Sequence, residues 1–211
     1  MVRSIRHCSS HLLALVLAGL MVGSPTTAKA TSTTKETPAV ISGLRQVRDV
    51  KQFEVGVPVD WSQYTPLMGL SPEEKGVFDV VMAGPSSAEG IRSEISIAYY
   101  APGNLLCKTS EKYLRLHAQP VFGSPSSGEA YGDVREERIR GRRAWVFERD
   151  KFEYLPPETI NPKKIPVHER FAVISARDGF FVLRCSAGLD RKAMALALFE
   201  AVLASFTPLV D

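Results

Sequence analysis

The stretch GFFVLRCSAGLDRKAMALALFEAVLASFTPL, Gly179–Leu209, sets a strand-like run directly against a strongly apolar helix. Asp190 is placed to cap that helix, with its carboxylate at the positive end of the helix dipole. Ala195, Leu196, Phe199, Val202, Leu203 and Phe206 then recur at i, i+3, i+4 and i+7, a stripe wide enough to cover one face of a sheet. Pro208 forbids continuation. Burying four large apolar side chains at about 1.5–3 kcal/mol each makes the helix a main part of the core. The face left over shows Met194, Leu198 and Ala201, and Glu200 is the one charge between Ala193 and Phe206. Such a face is expected either to lie under another part of the chain or to receive a partner.

Working outward, FAVISA (171–176), Arg177-Asp178-Gly179 and FFVLRCS read as a hairpin, because Asp-Gly readily takes the positive φ of a tight turn. FEVGVPVDW (53–61) alternates Phe53, Val55 and Val57 on one face until Pro58. GVFDVVMAG (76–84) and SEISIAYYAP (93–102) are strands joined by PSSAEG. KTSEKYLRLHA is a short helix that Thr109 or Ser110 can cap, with Leu106, Tyr113, Leu114 and His117 on one side. DVREERIR and RRAWVFERDKFEY form a basic pair of strands turning at Gly141. LPPETINPKKIP (155–166) holds four prolines and reads as an irregular excursion. Seven or so strands, two helices and few βαβ crossovers predict an α+β fold, a central antiparallel sheet flanked by helices.

The other end is a targeting segment. Arg3 and Arg6 precede a twelve-residue apolar run, Leu12–Gly23, and Ala28-x-Ala30 follows. That pattern is a secretory signal peptide cleaved near Ala30, and the run is well short of the roughly 20 residues a spanning helix needs. The chain carries 26 Lys+Arg and 23 Asp+Glu. The leader holds Arg3, Arg6 and Lys29 without an acid, so what remains is neutral overall. Global charge thus gives no reason to expect a nucleic acid partner. Residues 31–45 are Thr-rich and aperiodic and read as a flexible arm; residues 46–211 make a single domain. Two cysteines follow the leader, Cys107 and Cys185. An exported protein can join them as a disulfide, or each can be a small buried hydrophobe.

Four elements together resemble a known family: FEVGVPVDW, ISIAYYAPGN before a helix, GRRAWVF, and the closing stretch with Phe199-Glu200 and Ser205-Phe206-Thr207-Pro208. The set is similar to the PsbP-like family, whose fold is shared by the photosystem II extrinsic protein PsbP and the Ran-binding Mog proteins, and it looks most like the exported bacterial branch. The resemblance covers about residues 50–210. It implies an α/β/α sandwich and a non-catalytic assembly factor or subunit, with no cofactor and no catalytic motif to carry over. Cys185 departs from the family pattern, where an aromatic residue is usual, so a Cys107–Cys185 bond would be particular to this chain.

Catalytic chemistry finds little support. GSPSSG and GPSSAEG do not match the G-x-S-x-G elbow of a hydrolase. His117 lies on the apolar side of its helix and reads as a packed histidine; His168 follows Pro166 in a loop without a recognisable partner. No H-E-x-x-H, phosphate-binding glycine loop or acidic calcium loop is present. The strongest local feature is REERIRGRR, where Arg138, Arg140, Arg142 and Arg143 can present forked donors to an acidic partner. The leading expectation is an exported interaction domain that docks on another exported or membrane-bound protein through these arginines and the last helix. A small-molecule or lipid-binding module, with a pocket between the sheet and residues 155–166, comes second, and an uncharacterised hydrolase third.

Overall fold

A computed structural model describes residues 43–48, 50–64, 69–157 and 160–211. The expected signal peptide and most of the arm lie outside the described residues. In chain order the elements are β1 (Leu44–Val47), β2 (Phe53–Pro58), β3 (Ser62–Tyr64), α1 (Pro72–Lys75), β4 (Val77–Ser86), β5 (Arg92–Tyr100), α2 (Ser110–His117), β6 (Ala130–Tyr131), β7 (Arg135–Ile139), β8 (Arg142–Leu155), β9 (Lys163–Ala176), β10 (Gly179–Gly188), a 3-10 turn (Leu189–Arg191), α3 (Lys192–Ser205) and β11 (Thr207–Pro208). The main sheet runs β3-β4-β5-β10-β9-β8, with β6 and β7 both along the far edge of β8; β1, β2 and β11 form a second, smaller sheet. Every pairing among the described residues is antiparallel. The fold is the expected α+β arrangement, a central antiparallel sheet with helices against it.

The period-2 alternation of the strands divides the core between two faces. On β10, Phe181, Leu183, Cys185 and Ala187 join Ala195, Leu198, Phe199 and Val202 of α3 and Phe53, Val55 and Val57 of β2 in the larger apolar cluster. Phe180 and Val182 point the other way and pack with Phe147, Phe171, Val173 and Tyr113 of α2. Phe53, Phe181 and Phe206 meet edge-on or tilted at 5.2–6.4 Å. β11 follows α3 immediately and pairs with β2, so the C-terminal strand draws the helix down between the two sheets.

Several expectations are corrected. Asp190 lies in the 3-10 turn, and its carboxylate accepts from Ala88 N at 3.1 Å; α3 begins after Arg191 with no side-chain cap. Leu198 is buried rather than outward, and Leu196 and Leu203 are half-buried. The final hairpin turns on Arg177 and Asp178 alone, and Gly179 is the residue with positive φ, +123°. A Cβ there would collide with the Tyr100 carbonyl, which requires glycine at that position. The arm ends sooner than expected, because β1 starts at Leu44 and pairs with β2. The proline-rich excursion is shorter than expected, since Leu155 and Lys163–Pro166 are strand: Leu155 pairs with Lys163 and Phe152 with Pro166. His168 therefore sits in β9 and not in a loop, buried, with Nδ1 2.6 Å from Asp150 and Nε2 3.5 Å from Glu148. Cys107 and Cys185 are free buried thiols in the two separate clusters, on opposite sides of the sheet, so no disulfide joins them.

Truncating Phe206 to Ala removes the ring shared by both sheets and α3. The expected loss is about 3–5 kcal/mol, read from the midpoint of chemical denaturation.

Candidate functional site

The four arginines of REERIRGRR do not share one surface. Arg140 and Gly141 make a two-residue turn, both with positive φ, +51° and +78°. The register sets Arg138 opposite Arg143 and Ile139 opposite Arg142, so neighbouring residues point to opposite faces. Arg140 and Arg142 face the end of α3. Arg140 donates from Nε to Phe206 O at 3.0 Å and from Nη2 to Ala204 O, and Arg142 donates to Val210 O at 2.8 Å. Cations placed on the last carbonyls of a helix stabilise it. These two arginines fasten the hairpin to the C-terminal segment. Arg143 pairs with Glu136 at 2.7 Å and lies 4.8 Å above the Trp145 ring, while Arg138 donates to Gly141 O. That second half is a solvated rim, where an ion pair contributes at most about 1 kcal/mol.

The last helix also gives up its expected surface. With Leu198 inside, its exposed positions are mostly alanine: Ala193, Ala197 and Ala204, with Met194 beside them. Large apolar side chains gather instead around α2. Leu116 is 46% exposed, and in the loop after the helix Val121 is 73% and Phe122 94% exposed. Lys112 and Arg115 are exposed on the same helix.

Alternation along the central strands generates a further site that the sequence reading missed. Arg149, Glu169 and Arg184 occupy the α2 side of β8, β9 and β10, below the aromatic patch that α2 covers. Glu169 is fully buried and holds Arg149 at 2.5 Å, Arg184 at 2.6 Å and Lys151 at 3.5 Å. Arg184 reaches on to Glu94 at 3.5 Å, and Arg149 donates to His117 O. Burial pushes the Glu169 carboxyl up, but Arg184, Arg149 and Lys151 outweigh it and hold its pKa below the ordinary value. His117 stacks on Tyr113 at 4.2 Å, and burial together with Arg149 brings its pKa down to about 4. It is a neutral packed imidazole.

Two cavities flank this cluster and share Glu94 and Arg184. One, about 220 Å³, lies under Tyr64, Tyr100 and Tyr113; the other, about 330 Å³, runs to Ile91 and Leu155. The second touches the start of the segment 155–166, but its walls are mainly β5, β8, β10 and the β4–β5 turn. The signal for this face stood in the sequence as charges inside apolar strands, in VHERFAVI and FVLRCS. Among the described residues no group of three or more His, Cys, Asp or Glu converges on a metal position.

No protein-family model matches the sequence, and no curated protein matches it. Solved structures do resemble it in backbone. Cyanobacterial PsbP (CyanoP) from Synechocystis is 18% identical with a TM-score of 0.48, over 82% of this chain and 96% of that one. LpqN of Mycobacterium tuberculosis, described as involved in cell envelope biogenesis, is 16% identical with a TM-score of 0.44, over 77% of this chain and 88% of that one. The Ran-binding protein Mog1p of Saccharomyces cerevisiae is 11% identical with a TM-score of 0.47, over 80% and 97%. These are likenesses of fold.

Changing Glu169 to Gln leaves Arg149 without its carboxylate and leaves Arg184 and Lys151 with only Glu94 and Glu153. We expect a loss of about 2–3 kcal/mol, below the 3–5 of a fully buried pair because the cations keep one edge in water. The pH dependence has two parts. The lowered His117 pKa favours the neutral ring in the folded state, so its contribution is complete above pH 6.5 and declines as pH falls towards about 4. The lowered Glu169 pKa contributes stability above the ordinary carboxyl range that is lost as pH falls through the folded value. Melting temperature should therefore drop below pH 6.5 in the native protein, and His117→Leu should abolish the upper part of that decline while leaving the acid limb.

Proposed function

We propose that this protein is an exported, non-catalytic accessory domain that docks on another exported or membrane-bound protein through α2 and the loop after it. The observation carrying this reading is the run Leu116, Val121 and Phe122, three large apolar side chains left 46%, 73% and 94% exposed within seven residues. Contiguous apolar exposure of this kind marks interaction surfaces, and aromatic anchors dominate binding energy at interfaces. Lys112 and Arg115 beside it favour an acidic rim on the partner. The export reading rests on residues 1–30. No helix among the described residues is long and apolar enough to cross a membrane. The proposed surface leaves out the arginine hairpin, because Arg140 and Arg142 are engaged on internal carbonyls.

A photo-crosslinking residue at position 122, introduced in the native cells, tests the assignment against the same residue at exposed position 177. The expected outcome is a discrete protein adduct from 122 that disappears when Leu116 and Val121 are changed to Ser. Equal adducts from 122 and 177, or none from 122, would sink it.

A further inference from the structure

We infer that the groove beneath Tyr64, Tyr100 and Tyr113 is a binding site for a neutral, polyhydroxylated ligand, a segment of glycan. The reading goes beyond the docking proposal and uses different residues from the loop after α2. Val81, Ser96, Ala98 and Val182 make the floor, and Lys75, Asp79, Glu94 and Arg184 stand around it.

The decisive feature is Tyr113. Its ring is only 6% exposed, wedged against Tyr100 at 5.6 Å and Phe180 at 5.9 Å, yet its hydroxyl has no hydrogen-bond partner among the described residues. Among the described residues the fully enclosed side-chain atoms left unpaired are Ser93 Oγ, His168 Nε2 and Arg170 Nε, so the Tyr113 oxygen is not sealed in but reaches open space. Tyr113 lines the cavity, so the unpartnered hydroxyl opens into it. The Tyr100 hydroxyl is likewise unpartnered on the same wall, its ring stacked on Phe180 at 4.7 Å. Burial raises both phenol pKa values, Tyr100 to about 12, so both are neutral hydroxyls, able to donate and to accept.

Charge selects the ligand class. Lys75 and Arg184 are matched by Asp79 and Glu94, so the groove has no net charge with which to prefer an anion or a cation. Arg184 commits Nε and Nη2 to Glu169 at 2.9 and 2.6 Å and Nη1 to Glu94, so a phosphate or carboxylate would have to displace a buried counter-ion. Ligand hydroxyls displace no counter-ion. They can donate to Asp79 and to the remaining lone pairs of Glu94, whose Oε2 already accepts from the Tyr64 hydroxyl at 2.6 Å, and exchange hydrogen bonds with Ser96 and the Tyr100 and Tyr113 phenols. The exposed Tyr64 ring offers an apolar wall for the C–H face of a sugar, while Tyr100 and Tyr113, whose rings are packed on Phe180 and His117, present their hydroxyl ends. The neighbouring cavity shares Glu94 and Arg184 and adds Ile91, Glu153 and Leu155. The groove therefore continues past one ring, and a short oligosaccharide fits it better than a monosaccharide.

The test is an NMR titration of the isotope-labelled protein with maltotetraose, cellotetraose and chitotetraose, each against a tetra-alanine control with acetylated and amidated ends, which carries no charge. We expect saturable shifts for at least one sugar, confined to the groove and its extension: Tyr64, residues 75–106, Tyr113, residues 153–155 and residues 180–186. Tyr113→Phe, which keeps the ring, and Asp79→Ala should each weaken that binding about fivefold, the scale of one net hydrogen bond. Tyr113→Phe should also melt no lower than the native protein, because the hydroxyl it removes has no partner. Four results would overturn the assignment: no saturable shift with any of the three sugars, shifts outside the groove, binding indifferent to both substitutions, or a clear loss of stability in Tyr113→Phe. Selective binding of tetra-alanine would give the groove to a peptide and overturn it equally. Variants at Leu116 and Val121 should leave sugar binding unchanged, so the two proposals fail separately.

Discussion

The contact on which the rest of the molecule depends is the meeting of Phe53, Phe181 and Phe206, one ring from each of three layers. Phe181 belongs to the middle of the main sheet, Phe53 to the small sheet, and Phe206 to the end of α3. A fully buried aromatic side chain removes 150–250 Å² of surface from water, and here each removal joins two elements far apart in the chain. With the helix end fixed, Thr207 and Pro208 can pair with β2, and Arg140 and Arg142 can reach the carbonyls beyond it. The basic hairpin is then a clasp on the last helix, with its positive charge placed on the helix's negative pole.

The sheet treats its two sides unequally. One side carries the larger apolar cluster under α3 and the small sheet, with His168, Arg170, Glu148, Asp150 and Glu200 paired off beside it. The other is covered by an eight-residue helix, too short to span the sheet, and the uncovered part is where Arg149, Glu169, Arg184 and Glu94 stand. A charge cannot be buried at low cost without its counter-charge. An open face can still hold one, because each cation keeps an edge in water. The shortness of α2 thus creates both the ion cluster and the tyrosine-lined groove, and its flanking loop leaves Phe122 outside.

Much of this was legible in the chain. The apolar stripe of α3, the strands, the antiparallel class, the Thr109 cap of α2 and the packed role of His117 follow from periodicity and local chemistry. The misreadings share a physical cause. Asp190 is a good cap by type, but the Ala88 amide, 102 residues away in sequence, competes for its carboxylate and wins. Prolines argued for an excursion at 155–166, yet Pro166 pairs within β9 opposite Phe152. Arginine spacing suggested one surface until the turn at Arg140-Gly141 sent alternate side chains to opposite faces. His168 found Asp150 and Glu148 across a strand pair that no linear spacing displays. The groove itself depends on cross-strand register, which one sequence does not print.

The two cysteines among the described residues, Cys107 and Cys185, lend the molecule an unplanned diagnostic. Each thiol is buried, and the sheet stands between them: Cys185 lies under α3, Cys107 at the entry to α2. An alkylating reagent reaches each one when its own layer lifts, so the two modification rates report two separate opening equilibria. A layer that breathes alone would betray itself by labelling one cysteine while its counterpart stays dark. The protein thus carries, without any added probe, a means of asking whether its halves come apart together or in turn.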